Sequence, residues 1–228
     1  MRFSVITLFP EMFSGVFNSS ILKRAQLDHK IEIELINLRE FGIGSHKTVD
    51  DKPYGGGTGM VLRVDVIDQA IQSIKTDTSF VVLLDPKGVV YKQEIAEGLS
   101  QKNHLILICG HYEGYDERIR RLVDMEISLG DFVLSGGEIG AMAVVESVAR
   151  IIPGVLSKSE AVILESFSKH EGQRLLEHAQ YTRPESYNGI SVPKELLTGH
   201  HQKIEEYRKN DAKKITKIRR LDLLEVKP

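Results

Sequence analysis

Five of the seven acidic side chains between residues 109 and 138 lie near glycines, in the part of the chain that has most of its candidate chemistry. They are Glu113, Asp116, Glu117, Asp131 and Glu138. Asp116 and Glu117 precede a short charged segment, so we expect them to cap a helix there and to favour the positive end of its dipole. Glu113 lies between Tyr112 and Gly114 and has no such structural role, so we expect it to face a cationic ligand or to orient a substrate amine.

Glycines interrupt the apolar runs of this region. The run Leu105–Ile108 ends at Cys109-Gly110, and the run Met125–Leu129 ends at Gly130-Asp131. A third break, Ser135 to Glu138, opens an apolar helix. Because glycine has no Cβ, its backbone can approach a ligand closely. Two such breaks at the carboxyl ends of parallel strands predict a pocket at that edge of the sheet.

Other reactive side chains have ordinary interpretations. Arg150, in the last turns of the apolar helix, is either a C-terminal cap or a stabiliser of developing anionic charge. Cys109, at the end of an apolar run, is predicted to be buried rather than nucleophilic. Ser135 is predicted to cap the helix, since no Gly-x-Ser-x-Gly elbow is present. The eight histidines lack zinc-binding spacing, so the pattern predicts no metal ligand.

A glycine-rich loop, Tyr54–Met60, invites comparison with nucleotide-binding loops. No Gly-Lys-Ser/Thr follows it and no strand directly precedes it, so it is not a phosphate loop. The chain also lacks the spaced Rossmann glycines, which removes the main support for a nicotinamide or flavin oxidoreductase. The loop is interpreted either as a ligand- or RNA-contacting segment or as a flexible hinge.

Strands and helices alternate through the first part of the chain, which predicts an α/β fold. The expected strands are Arg2–Leu8, Ile31–Ile36, Phe80–Leu84 (ended by the turn signal Asp85–Gly88), His104–Cys109 and Met125–Leu129. The first expected helix begins at Pro10 and has the apolar stripe Met12, Phe13, Val16 and Phe17. The other expected helices are Arg63–Lys75, Tyr91–Gln101, Tyr115–Val123 and Gly136–Ile152. The last three strands are almost continuously apolar, which is typical of a parallel sheet covered on both faces.

The chain is predicted to have three parts: an α/β domain over residues 1–160, a linker over 161–189, and a helical domain over 190–228. The expected C-terminal helices are Lys194–Leu197, Gly199–Lys209 with Thr198 as N-cap, and Ala212–Arg219 capped by Asp211. Residues 199–228 carry nine Lys/Arg and five Asp/Glu, a net charge of +4, while the remaining 21 and 27 leave −6. This basic end is either a docking surface for an anionic partner or a solvated helix with charge pairs.

The overall composition is that of an ordinary soluble protein, with 41% hydrophobic and 27% charged residues among 228. No apolar run reaches the roughly 20 residues that span a bilayer, so no membrane association is expected. The N-terminus lacks a signal-peptide pattern and is predicted to be a strand. One cysteine fits a reducing compartment, and the expected location is the cytoplasm.

Six segments, in the same order and over essentially the whole chain, resemble the bacterial tRNA (guanine-N1)-methyltransferases of the SPOUT superfamily. They are LFPEMF at 8–13, TVDDKPYGGGTGM at 48–60, CGHYEGYDERI at 109–119, SLGDFVLSGGE at 128–138, IIPGVL at 151–156 and YTRPE at 181–185. The resemblance implies a SPOUT-type knotted parallel sheet (a deep trefoil knot) with a small C-terminal helical domain. It also implies a homodimer with shared active sites that methylates N1 of the tRNA guanosine immediately 3′ of the anticodon, maintaining the reading frame. S-adenosylmethionine is the implied methyl donor, and Mg²⁺ is a candidate second cofactor.

The resemblance also assigns residues. The implied cofactor-binding residues are Leu84, Asp85, Pro86, Gly110, Tyr112, Gly114, Ser128, Leu129, Gly130, Asp131, Phe132, Val133, Leu134, Gly136 and Gly137. Backbone groups of Leu129, Phe132 and Leu134 would hold the adenine. The implied tRNA-binding residues are Asp50, Tyr54, Gly55, Lys213, Lys214, Arg219 and Arg220. Arg150 would hold guanine O6, and Glu113 would contact the substrate or Mg²⁺.

The implied general base departs from the family pattern. The family has an aspartate before Ser-Phe in the linker, and this chain has Glu165 there. We predict that Glu165 removes the N1 proton, with a backbone shift that accommodates its extra methylene. Two alternatives remain at this point: a SPOUT methyltransferase acting on ribosomal RNA, and a non-catalytic RNA-binding protein, which the change at Glu165 would explain.

Overall fold

The computed structural model describes residues 1–157, 165–170 and 172–224. The chain divides into two compact units, Met1–Ser157 and Lys158–Pro228. The predicted boundary at residue 160 lies outside the described residues. None of the helices in the described part of the chain is both long and apolar enough to cross a membrane.

The first unit is built on a five-stranded parallel sheet, which confirms the predicted α/β class. Its strands are β1 (Arg2–Thr7), β2 (Glu32–Asn37), β5 (Ser79–Val90), β6 (His104–Cys109) and β7 (Met125–Ser128). The strand order is β2-β1-β6-β5-β7, and every neighbouring pair is parallel. A separate pair, β3 (Asp50–Asp51) and β4 (Val61–Leu62), encloses the glycine-rich loop.

Helices follow the strands in the chain. The α-helices of the first unit are Ser14–Phe17, Ser20–Leu27, Val64–Ile74, Gln93–Leu99 and Glu138–Ala149, and 3-10 helices occur at Pro10–Phe13, Leu38–Phe41 and Glu117–Arg121. Every residue of β6 is buried. Leu105 and Leu107 pack on the side of helix Glu138–Ala149, while Ile106 and Ile108 pack on the side of helix Val64–Ile74. Burial on both faces explains why this strand is almost continuously apolar.

Two elements differ from their predicted form. Strand β5 does not end at Leu84 but continues to Val90, with a register shift between Leu84 and Val89 where it pairs with β7. The expected turn at 85–88 is therefore an irregularity within the strand. Gly88 is required there because a Cβ would lie 2.5 Å from the carbonyl carbon of Glu126. The expected helix Tyr115–Val123 is only a 3-10 helix, Glu117–Arg121, and Asp116 caps it as predicted, accepting a hydrogen bond from the Arg118 N–H.

The second unit contains the helices Lys194–Leu197 and His201–Arg219, a 3-10 helix at Leu221–Leu223, and two short hairpins. The hairpins pair Lys169–His170 with Gln173–Arg174 and Ser186–Tyr187 with Ile190–Ser191. The prediction of two helices separated at Asp211 is wrong, because one helix spans both. Instead of capping a second helix, the Asp211 carboxylate accepts a hydrogen bond from the Ala179 N–H at 2.8 Å.

Candidate active site

A cavity of about 380 Å³ lies where β6, β7 and the first half of β5 end. Its wall consists of residues 84–87, 110–117, 127–130 and 132–137, with Ile119, Arg120 and Gly140. Every residue implied to bind the cofactor lines this cavity except Asp131. The predicted pocket at the carboxyl edge of the sheet is therefore present, because parallel strands bring their ends to one edge.

Backbone contacts that only glycine permits shape the floor of this cavity. The Tyr115 hydroxyl donates a 2.7 Å hydrogen bond to the Leu84 carbonyl and occupies the space where a Cβ on Gly110 would be. A Cβ on Gly137 would lie 2.8 Å from the Cα of Cys109. The Gly137 N–H donates to the Gly110 carbonyl at 2.9 Å. The segment after β7 thus lies directly against the end of β6.

Glu138 is a structural acid beneath the cavity. It is 2% exposed, and its Oε1 accepts a 2.8 Å hydrogen bond from the Thr7 hydroxyl at the end of β1. The same hydroxyl accepts a bond from the Phe9 N–H. The expectation that Ser135 caps the helix is wrong: the N-cap is Gly137, without a side-chain cap, because the helix starts at Glu138. The role of Thr7 was missed, since nothing local in the sequence connects it to Glu138.

The glycine-rich loop reaches the cavity through backbone hydrogen bonds. The Glu113 N–H donates to the Met60 carbonyl at 3.1 Å, the Leu62 N–H donates to Gly114 at 2.9 Å, and the Asp116 N–H donates to Leu62 at 3.0 Å. Glu113 is exposed and lines the cavity. The loop glycines adopt left-handed backbone conformations, which explains their number. Tyr54, at the start of the loop, is fully exposed.

Arg120 was not singled out from the sequence, although it lines the cavity. Its guanidinium lies 3.5 Å from Asp85 and 2.6 Å from Glu117, and it also pairs with Glu126. It therefore joins the irregular part of β5, the 3-10 helix and β7. The only sequence signal was a charged helix beside several acids.

Two other titratable groups near the strand ends, Asp116 and Cys109, have pKa values that their surroundings shift. Hydrogen bonds from Arg118 lower the pKa of Asp116 to about 2, so this carboxylate is ionised. Burial raises the pKa of the Cys109 thiol, as expected for the predicted buried residue. Among the described residues, no group of three His, Cys, Asp or Glu side chains could hold a metal ion.

Arg150 occupies the C-cap position of helix Glu138–Ala149, and its N–H donates to the Glu146 carbonyl. Asp50 lies in β3 and pairs with Leu62. Gly55 has a φ of +85° in the exposed loop.

Glu165 belongs to the second unit and is half-buried at the start of a tight turn. Its carbonyl accepts a hydrogen bond from the Ser168 N–H, and Phe167 within the turn has a φ of +71°. Lys213, Lys214 and Arg219 are exposed on helix His201–Arg219. Arg220 follows that helix and pairs with Asp222 through bonds of 2.9 and 2.8 Å.

Comparisons with known proteins identify the family. The family model for tRNA (Guanine-1)-methyltransferase TrmD matches residues 1–226. A Dictyoglomus turgidum tRNA (guanine-N(1)-)-methyltransferase is 49% identical over 225 residues, which cover 99% of this chain and 90% of that protein. Proteins of the same name from Carboxydothermus hydrogenoformans and Bacillus subtilis are 50% and 48% identical over 228 and 232 residues, covering all of this chain and 88% and 94% of theirs. The chain belongs to the tRNA (guanine-1)-methyltransferase TrmD family.

Proposed function

We propose that this enzyme transfers a methyl group from S-adenosylmethionine to N1 of the guanosine immediately 3′ of the tRNA anticodon, and thereby maintains the reading frame. Family membership supports tRNA guanine methylation. The observation that carries the choice of methyl donor is the glycine-built cavity at the carboxyl edge of the sheet. Its volume is within the range of about 300–1,000 Å³ that small-molecule sites occupy.

The residues around the cavity fit such a ligand. Ser128 stabilises the turn after β7, since its hydroxyl contacts the Gly130 carbonyl at 3.1 Å and the Gly130 N–H at 3.2 Å. This turn presents the backbone of Leu129, Phe132 and Leu134, which we propose contacts the adenine. Asp131 does not line the cavity and is proposed to act only through the conformation of that turn.

The proposed chemistry depends on alignment and on one proton transfer. S-adenosylmethionine supplies an electrophilic methyl group, so the protein must mainly position the acceptor. Guanine N1 carries a proton, and negative charge grows on O6 as that proton leaves. We assign Glu165 as the base that removes it and Arg150 as the cation that stabilises O6. Glu113 contacts the substrate or shares Mg²⁺ with substrate oxygens, because Mg²⁺ commonly takes only one or two protein carboxylates.

A trefoil knot is part of this proposal. Support comes from the segment after β7, which passes back over the end of β6: His111 pairs with Gly136, and Gly137 contacts Gly110. This close passage of two backbones brings the predicted adenine-binding turn beside the loop that carries Glu113.

A homodimer with shared active sites is also proposed. Large apolar side chains are exposed on neighbouring elements of the first unit, where helix Glu138–Ala149 packs against the 3-10 helix Pro10–Phe13. They are Met12, Val16, Phe132, Val133 and Ile139. Exposed apolar surface of this kind favours association, and a two-fold symmetric dimer buries the same surface on both subunits. Ile139→Glu is therefore expected to halve the mass measured by light scattering.

The proposed tRNA contacts lie in both units. Helix His201–Arg219 carries seven Lys/Arg against three Asp/Glu, a net charge of +4 that suits a phosphate backbone. The loop with Asp50, Tyr54 and Gly55 would contact the anticodon region. We propose that the enzyme acts in the cytoplasm.

Methyl transfer to two tRNA transcripts tests this proposal. The transcripts differ only in guanosine or adenosine 3′ of the anticodon, and the donor carries a labelled methyl group. Transfer to the guanosine transcript alone is expected, and Glu165→Gln should abolish it without weakening donor binding. Near-normal turnover by that variant would refute the assignment of Glu165. If neither transcript is methylated while the donor still binds, the chain is a non-catalytic RNA-binding protein, the alternative that the change at Glu165 favours.

A further inference from the structure

Gly59, at the end of the glycine-rich loop, stands directly against the side chain of Glu113. A Cβ on Gly59 would lie 2.5 Å from Oε1 and 2.8 Å from Cδ of Glu113. Nonbonded atoms separate to about 3.5 Å or more, so both side chains cannot occupy this space. The empty position on Gly59 is therefore filled by the Glu113 carboxylate.

The backbones on either side of this contact cannot easily move apart. The Met60 carbonyl accepts from the Glu113 N–H, and Leu62 exchanges hydrogen bonds with Gly114 and Asp116. Leu62 is fully buried in the core beneath helix Val64–Ile74. A side chain added at Gly59 would therefore be accommodated by rotating the exposed side chain of Glu113, which these backbone hydrogen bonds do not hold, rather than by opening the two loops.

We infer that Gly59 is a positioning residue for Glu113: its missing side chain leaves the space in which the Glu113 carboxylate stands at the rim of the cavity. This inference rests on the proposed function, in which Glu113 contacts the substrate or its Mg²⁺. The glycine-rich loop then has a role beyond contact with tRNA. It sets the position of a carboxylate that belongs to the neighbouring loop.

Backbone conformation is a competing explanation for a glycine here. Gly59 has a φ of +83°, which costs other residues about 1–2 kcal/mol. Gly56 provides a matched control, because its φ is +81° and a Cβ there would meet nothing within 4 Å. Gly56→Ala therefore imposes the same backbone strain in the same loop without displacing Glu113.

A double-mutant cycle separates the two explanations. We expect Gly59→Ala to lower kcat/KM by about 100-fold, the scale of a 1 Å misplacement, and to approach the loss caused by Glu113→Ala. The double variant G59A/E113A should be worse than E113A alone by no more than the loss that G56A causes, because the displaced carboxylate is already absent and only the backbone strain remains. In contrast, the losses of G56A and E113A should multiply. Multiplying losses for G59A and E113A, or equal losses for G59A and G56A, would overturn the inference.

A crystal structure of the G59A variant tests the same inference without activity. Relieving the contact from 2.5 Å to about 3.5 Å requires the Glu113 carboxylate to move by about 1 Å. An unmoved carboxylate overturns the positioning role. Failure of the wild-type enzyme to methylate tRNA would instead refute the proposed function, while the displacement of Glu113 would remain measurable.

Discussion

Thr216 joins the C-terminal helix to the segment that carries the proposed base, so replacing it by valine should loosen that segment. Its side chain is fully buried. The hydroxyl accepts a 2.8 Å hydrogen bond from the Leu176 N–H and donates at 2.7 Å to the Ala212 carbonyl one turn earlier. Valine keeps the β-branched shape and nearly the same volume, so the substitution removes the hydroxyl without leaving a large cavity.

The stability that Thr216→Val is expected to lose comes from the Leu176 N–H rather than from the Ala212 carbonyl. Residue 212 lies within an α-helix, and its carbonyl keeps the backbone N–H partner four residues later. The Leu176 N–H, which is part-buried, loses its acceptor, and an unsatisfied buried donor costs at most about 1–3 kcal/mol. Since each 1.4 kcal/mol is a factor of ten, the equilibrium for local opening should shift by about 5- to 150-fold.

Amide hydrogen exchange measures this opening residue by residue. The Leu176 amide of Thr216→Val should exchange about 5- to 150-fold faster than in the wild type, the factor that the lost bond sets. Thr216→Ser keeps the hydroxyl and should retain most of the protection. Because the Glu177 N–H also bonds the Ser166 hydroxyl beside Glu165, we expect kcat to fall without a change in donor affinity. Unchanged exchange at Leu176 in Thr216→Val would refute the reasoning.

Three further predictions concern pH, the cavity floor and salt. Burial lowers the pKa of His104 from its ordinary value of 6.5, so below that pH the unfolded chain binds a proton more readily than the folded one. The free energy of unfolding should therefore be highest above pH 6.5 and fall as the pH drops below it. Urea unfolding at pH 8 and pH 5.5 measures the difference, and equal stabilities would contradict the prediction. Tyr115→Phe removes the hydrogen bond to the Leu84 carbonyl and should lower the free energy of unfolding by about 1 kcal/mol. It should also weaken the binding of S-adenosylmethionine, which calorimetry measures. An unchanged affinity for S-adenosylmethionine would exclude a role for this bond in shaping the cavity. Lys214→Gln should reduce the steepness of a plot of log tRNA-binding constant against log salt concentration by about 0.7–0.9, the change expected for the loss of one phosphate contact. An unchanged slope would place Lys214 outside the tRNA interface.

The amino-acid sequence alone was sufficient for the α/β class, for the central strand β6 and for the place of the cavity. Strand β6 was predicted with its observed bounds, His104–Cys109, because a strand buried on both faces is almost continuously apolar, as Leu105–Cys109 are here. The glycine breaks at Gly110 and Gly130 marked the carboxyl edge, because glycine has no Cβ and lets the backbone approach a ligand closely. The six sequence segments that resemble the tRNA (guanine-N1)-methyltransferases also identified the family, which the match of the family model to residues 1–226 confirmed.

Only the tertiary structure decided the features that depend on distant partners. The Asp85–Gly88 sequence is a good local turn, but β5 continues past it because Val89 and Val90 pair with β7. Asp211 has the local character of a helix cap, yet its carboxylate bonds Ala179 and the helix runs through.

The contacts of Thr7 with Glu138 and of Gly59 with Glu113 were likewise invisible in the sequence. They join residues 131 and 54 positions apart in the chain. A buried position or a close backbone contact restricts the residue type at that one position, so it leaves a signal in the local sequence. A hydrogen bond or a shared space between distant residues leaves none, because either residue alone is compatible with many partners.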